Sequence, residues 1–172
     1  VVEQEATEDF HRMAGISPVE ESYLKTSAFK MARQRISWLI ILMISATFTG
    51  RIIKNYESVL QSVVILSSFI PMLMDTGGNA GAQSSTIVVR ALALGEVKPK
   101  DTFKILRKEF CISFIVAVVL AAINYLRLIT MTRTPLNVAL VVSVTLIFVV
   151  MISKIIGAFL PVVAKSLKMD PA

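Results

Sequence analysis

The sequence predicts an all-α polytopic membrane helix bundle. It has four transmembrane helices, the second interrupted, and one cytoplasmic helix at the N-terminus. Three observations carry this. Of the 172 residues, 55% are hydrophobic, and the mean hydropathy is +0.70. The apolar residues come in long runs of the kind that cross a ~30 Å hydrocarbon core. The Lys and Arg residues flank those runs rather than clustering in a patch, so the net charge of +6 reads as topology information and not as a nucleic-acid surface. Cys111 is the only cysteine and His11 the only histidine, which excludes an intrachain disulfide and argues against a metal–thiolate cluster.

Residues 1–33 form a first segment, a linking helix and its approach to the membrane, and residues 34–172 a transmembrane domain. Glu5 and Glu8 lie three apart and Glu5 and Asp9 four apart, so in a helix they share one face. Their repulsion calls for a cation or for solvent. Gly15 and Pro18 end this helix. Lys25, Lys30, Arg33 and Arg35 then lead into the bilayer. The first span covers about 36–53, with Ser45, Thr47, Thr49 and Gly50 supplying small and hydroxyl surfaces for helix contact.

The second apolar segment holds the chemistry. From 59 to 94 there is no evident loop, yet one straight helix of that length would reach ~54 Å. It must kink, unwind near 75–81, or run out of the membrane. Pro71 removes a backbone donor and favours a kink one turn earlier. The stretch Pro71-Met-Leu-Met-Asp-Thr-Gly-Gly-Asn-Ala-Gly-Ala-Gln-Ser-Ser85 carries Asp75, Asn79 and Gln83. Charged and amide groups at membrane depth are costly, so they face a bundle interior or a wet path. Gly77, Gly78 and Gly81 would let backbone carbonyls approach a ligand; alternatively they permit close helix packing. Hard cations take oxygen ligands, and carboxylate, amide and carbonyl oxygens are all present. An interrupted helix with a polar break at membrane depth is the pattern of a transport site.

Gly95 and Pro99 mark the next loop. A basic lead-in, 102–109, precedes a third span at about 110–128. A turn with Pro135 precedes a fourth at about 136–163. Lys154 lies inside that span and either snorkels toward the basic end at Lys165 and Lys168 or pairs with a carboxylate; its distance from that end favours snorkelling. With the N-terminus inside, Lys25, Lys30, Arg33, Arg35, Arg90, Lys98, Lys100, Lys104, Arg107, Lys108, Lys165 and Lys168 flank the cytoplasmic face. Only Arg51, Lys54, Arg127 and Arg133 lie opposite, which puts both termini in the cytoplasm.

The 71–86 stretch followed by Arg90-Ala-Leu-Ala-Leu-Gly95 resembles the signature of the MgtE magnesium channels. So do Tyr56-Glu57-Ser58-Val59-Leu60, Gly157-Ala-Phe-Leu-Pro161 and Asp170-Pro171-Ala172. The resemblance implies a homodimeric channel in the plasma or inner membrane. It would pass Mg2+ into the cytoplasm down its electrochemical gradient and close when cytoplasmic Mg2+ binds. It implies N-terminal regulatory and CBS domains before residue 1. It also implies a fifth membrane helix, introduced by Asp170-Pro171-Ala172, that carries the main pore carboxylate. By family position Asp75, Gly78 and Ala82 face the ion, and Asn79 and Gln83 share that stretch. Some members have asparagine at the place of Ala82, whose methyl supplies no oxygen. Glu5, Glu8 and Asp9 match the acidic linking helix and would bind regulatory Mg2+. Glu57 would lie at the outer mouth.

Enzymes need a nucleophile with a base or a full carboxylate set, and neither is present in the spans. A divalent-cation secondary transporter coupled to Na+ or H+ is the alternative to a channel.

Overall fold

The computed structural model describes Ala14 and residues 26–169. The linking helix expected at 1–15, with Glu5, Glu8 and Asp9, therefore lies outside the described residues. Every described element is helical.

The chain divides into two compact units at Ser62/Val63. The first holds α1 (Ala28–Asn55) and α2 (Glu57–Ser62). Ser27 caps α1, its hydroxyl accepting from the Lys30 amide at 3.4 Å. Between Trp38 and Ile44 the helix is apolar all round, with Leu39, Ile40, Ile41, Leu42 and Met43 on successive positions and all exposed. A helix without a polar side suits lipid. It begins eight residues earlier than the apolar run alone indicates, because the basic approach continues the same helix. It breaks only at Tyr56, so the polar residues Arg51, Lys54 and Asn55 continue the helix.

The second unit is a three-helix bundle. A 3-10 segment (Val64–Phe69) leads into α3 (Ile70–Ala93), and a second, Pro99–Asp101, leads into α4 (Thr102–Thr130). A short turn then joins α5 (Leu136–Ser166). Among the described residues three helices can cross a membrane by length and composition: α1, α4 with its 3-10 lead, and α5. With 24 residues, α3 reaches ~36 Å, and its composition is more polar.

The second apolar segment is interrupted, but not where the glycines lie. The break falls at Val63 and the 3-10 segment that follows. Residues 75–81 continue as regular α-helix. Pro71 explains the position. It occupies the first turn of α3, where the missing N–H costs nothing and the fixed φ favours a helix start. At the other end Gly95 has φ +70. Its amide reaches the Leu92 carbonyl at 3.3 Å, and the Glu96 amide reaches that of Ala91 at 3.0 Å, a Schellman ending that glycine makes cheap. The stop signal read from Gly95 is correct.

Each bundle helix buries one stripe. On α4 it is Ile105, Glu109, Ser113, Ala117, Ala121, Asn124 and Leu128, a spacing of mostly four that keeps one side of a helix together. Three apolar clusters fill the core. Leu128, Val138, Ala139 and Val142 sit at the α4–α5 turn. Ala80, Ala117, Leu146 and Val150 sit in the middle. Val88, Leu92, Ile105, Ala158 and Val162 sit at the far end. Phe114, Ile115, Phe148 and Ile152 face outward, as lipid-facing side chains do.

Candidate functional site

The geometry of α3 follows from which of its residues are small. Gly77 faces α5: a Cβ there would stand 2.8 Å from Val149 Cγ1 and 3.0 Å from Ser153 Oγ. At Gly81 a Cβ would stand 3.2 Å from the Ser153 carbonyl oxygen. Gly157 on α5 approaches Gly81 so closely that a Cβ would overlap its carbonyl group. Gly77 and Gly81 on α3, and Ser153 and Gly157 on α5, thus form paired small-xxx-small motifs that bring two backbones together. Gly77 and Gly81 serve packing, and their carbonyls lie within a regular helix. Gly78 differs, with nothing within 4 Å of where its Cβ would be.

Seating that stripe fixes the other face. Asp75, Gly78, Asn79, Ala82 and Gln83 are all exposed on one side of α3, at the three- and four-residue steps that stack along a helix. Opposite them Gly77, Ala80, Ser84 and Val88 are buried. The sequence-predicted ion-facing residues therefore share one surface. The Asn79 amide donates to Asp75 Oδ1 at 3.2 Å, one turn apart. Thr76, beside them, donates to the Met72 carbonyl of its own helix at 2.8 Å. Among the described residues no three His, Cys, Asp or Glu side chains gather as a metal cage. The surface instead offers one carboxylate and two amides in a row. Mg2+ gives up water reluctantly, and such groups suit contact through its hydration shell.

Glu57 opens α2 in the other unit, where its Oε1 accepts from the Gln61 amide at 3.0 Å.

Two buried features were not read correctly from sequence. Lys154 is 5% exposed, so it does not snorkel. It leaves α5 on the buried stripe between Val150 and Ala158. Glu109, read as part of a basic lead-in, is 6% exposed and accepts from the fully buried Ser84 hydroxyl at 2.7 Å. The signal for it was its place on the α4 apolar stripe, four residues from Ile105 and eight from Ala117. Nearer the α4–α5 turn, Asn124 donates to Ser143 Oγ at 3.3 Å and accepts from Arg127 at 2.9 Å. Arg127 also lies 3.2 Å from the Met72 sulfur on α3.

Residues 70–172, which hold this surface and the whole bundle, match the MgtE family, described as divalent cation transporters. The chain belongs to the MgtE family. Over 172 residues it is 32% identical to the magnesium transporter MgtE of Thermus thermophilus, and over 173 residues 33% identical to that of Bacillus subtilis. It is 28% identical over 172 residues to that of Enterococcus faecalis. All of this chain is covered in each case, but only 37–38% of each relative. The family resemblance read from the glycine–asparagine stretch is therefore correct. The MgtE match begins at Ile70, the first residue of α3, so the family's defining region and the helix with the polar face start together.

Proposed function

We propose that this chain is the pore-forming part of a magnesium channel, and that Mg2+ passes along the face of α3 bearing Asp75, Gly78, Asn79, Ala82 and Gln83. The observation that carries this is the one-sided exposure of these residues on a helix whose other side is locked to α5 by glycine. A polar helix face at membrane depth has to meet water, an ion or another polar surface. In this reading a second copy of the chain faces it, and the ion moves between the two. Asp75 supplies the charge that favours a divalent cation, and Asn79 and Gln83 hold its hydration shell. Ala82 offers only a methyl group, which widens the path at its level. Ions move into the cytoplasm down their electrochemical gradient.

Glu57 stands at the outer mouth of this path. Glu5, Glu8 and Asp9 bind regulatory Mg2+, which relieves their repulsion and favours the closed state. Family resemblance supports both assignments, together with the N-terminal regulatory and CBS domains. It also supports placement in the plasma or inner membrane with the N-terminus in the cytoplasm.

The test is divalent uptake into liposomes holding the full-length protein, wild type beside Asp75→Asn, with Mg2+, Mn2+ and Ca2+ offered in turn. A hydrogen bond to a charged group contributes ~1.5–3 kcal/mol, so Mg2+ flux should fall about tenfold or more. Undiminished flux would remove Asp75 from the ion path. Flux that requires a Na+ or H+ gradient would replace the channel with an exchanger.

A further inference from the structure

All three helices of the bundle interrupt their buried apolar stripe at one level. On α3, Ser84 lies between Ala80 of the middle cluster and Val88 of the far cluster. On α4, Glu109 and Ser113 lie between Ile105 of the far cluster and Ala117 of the middle one. On α5, Lys154 lies between Val150 and Ala158, again one from each cluster. Ser84 and Ser113 are 0% exposed, Lys154 5% and Glu109 6%. Glu109 and Lys154 thus stand on buried stripes between the same two apolar clusters. Ser113 satisfies its hydroxyl on the Phe110 carbonyl of its own helix at 2.9 Å. Ser84 spends its hydroxyl on Glu109. Among the described residues no ion pair within 4 Å joins Lys154 to Glu109.

Taking a single charge out of water is far more costly than taking out a balanced pair. Glu109 and Lys154 have opposite charge and share one layer, so each is the counter-charge available to the other there. Ser84 ties that layer to α3. It is one residue from Gln83 and two from Ala82, on the opposite side of the helix. Fixing Ser84 therefore fixes the rotation of α3 about its axis at the level of the polar face.

We propose that Glu109 and Lys154 form a mutually compensating buried charge pair that, through Ser84, sets the rotation of α3 and so positions its polar face. They are positioning residues and touch no ion. The functional consequence rests on the ion-path reading above, but the rotation itself does not.

The test uses the full-length protein with Cys111 and every cysteine outside these 172 residues replaced by serine, so that only introduced cysteines react. Ala80→Cys reports the buried side of α3, and Ala82→Cys the exposed side. Their labelling rates by a water-soluble thiol reagent are compared in each background, and melting temperatures are read in detergent. Glu109→Gln keeps an acceptor for Ser84 but removes the charge; Lys154→Met removes the other. Each single change should lower the Ala82-to-Ala80 labelling ratio at least threefold, or prevent folding. The double change should bring ratio and melting temperature back to near wild type. Singles that leave the ratio unchanged overturn the proposal. So does a double variant no better than the worse single, which would show that each charge is balanced elsewhere. If Ala82→Cys does not label even in the parent background, the face is not water-lined and the ion-path reading fails. The melting temperatures of the two singles and the double then still decide the pair: recovery in the double upholds it, and none overturns it.

Discussion

Replacing Gly157 with alanine should pry α3 away from α5. The added Cβ would overlap the Gly81 carbonyl oxygen and stand 2.9 Å from its carbon and 3.0 Å from its Cα. Carbon atoms prefer ~3.5–4.0 Å, so the two helices must part by about 0.5–1 Å at the crossing. No flexible side chain can yield, because every atom in the way is backbone. Overpacking of this kind costs ~1–3 kcal/mol, and the upper end is expected here because Ser153 and Gly77 lose contact in the same movement. At ~2–4 °C per kcal/mol for a domain of this size, the melting temperature should fall by about 6–12 °C. The assay is thermal unfolding of the purified full-length protein in detergent, variant and wild type scanned at one rate. Mg2+ flux should fall too, since the polar face moves with α3. An unchanged melting temperature would refute the close Gly81–Gly157 crossing and the account of why α3 turns its polar side outward.

Gly78→Ala is the matched control. Its Cβ meets nothing within 4 Å, and alanine is ~1 kcal/mol better than glycine inside a helix. The melting temperature should hold or rise, while Mg2+ flux drops if this face lines the path. Lys168→Gly should stabilise the end of α5. Lys168 has φ +59, a conformation costing an L-residue ~1–2 kcal/mol, and the Met169 amide to Ala164 carbonyl bond of 2.9 Å holds it there. A rise in melting temperature of about 2–4 °C is expected for each kcal/mol recovered, and a fall would remove the strain argument. Asn124→Ala should lower stability by ~1–3 kcal/mol, because Arg127 and Ser143 both lose a partner. Denaturation with Ser143→Ala alongside checks this: the double variant should cost little more than Asn124→Ala alone.

Much of the architecture was legible because bilayers impose long apolar runs and charged flanks. The helices themselves and the α3 stop at Gly95 follow from composition, periodicity and one left-handed glycine, while the grouping of Gly78 and Ala82 with Asp75 came from the family likeness. The family likeness was legible in the same stretch. What the sequence could not determine was which of two glycine uses applies. A glycine that exposes a carbonyl and a glycine that admits a neighbouring backbone look alike along the chain. Only the approach of Ser153 and Gly157 distinguishes them, and that approach depends on residues more than seventy positions away. The same holds for Lys154 and Glu109. Lys154 announces expense at membrane depth and Glu109 reads as part of the basic lead-in, but whether a long side chain reaches water or turns inward depends on the helices packed around it. Tertiary packing decided that Gly77 and Gly81 are contact surfaces. It kept residues 75–81 helical, because the break had already been taken at Val63 ahead of Pro71. It also placed Glu109 and Lys154 on the buried stripes of α4 and α5.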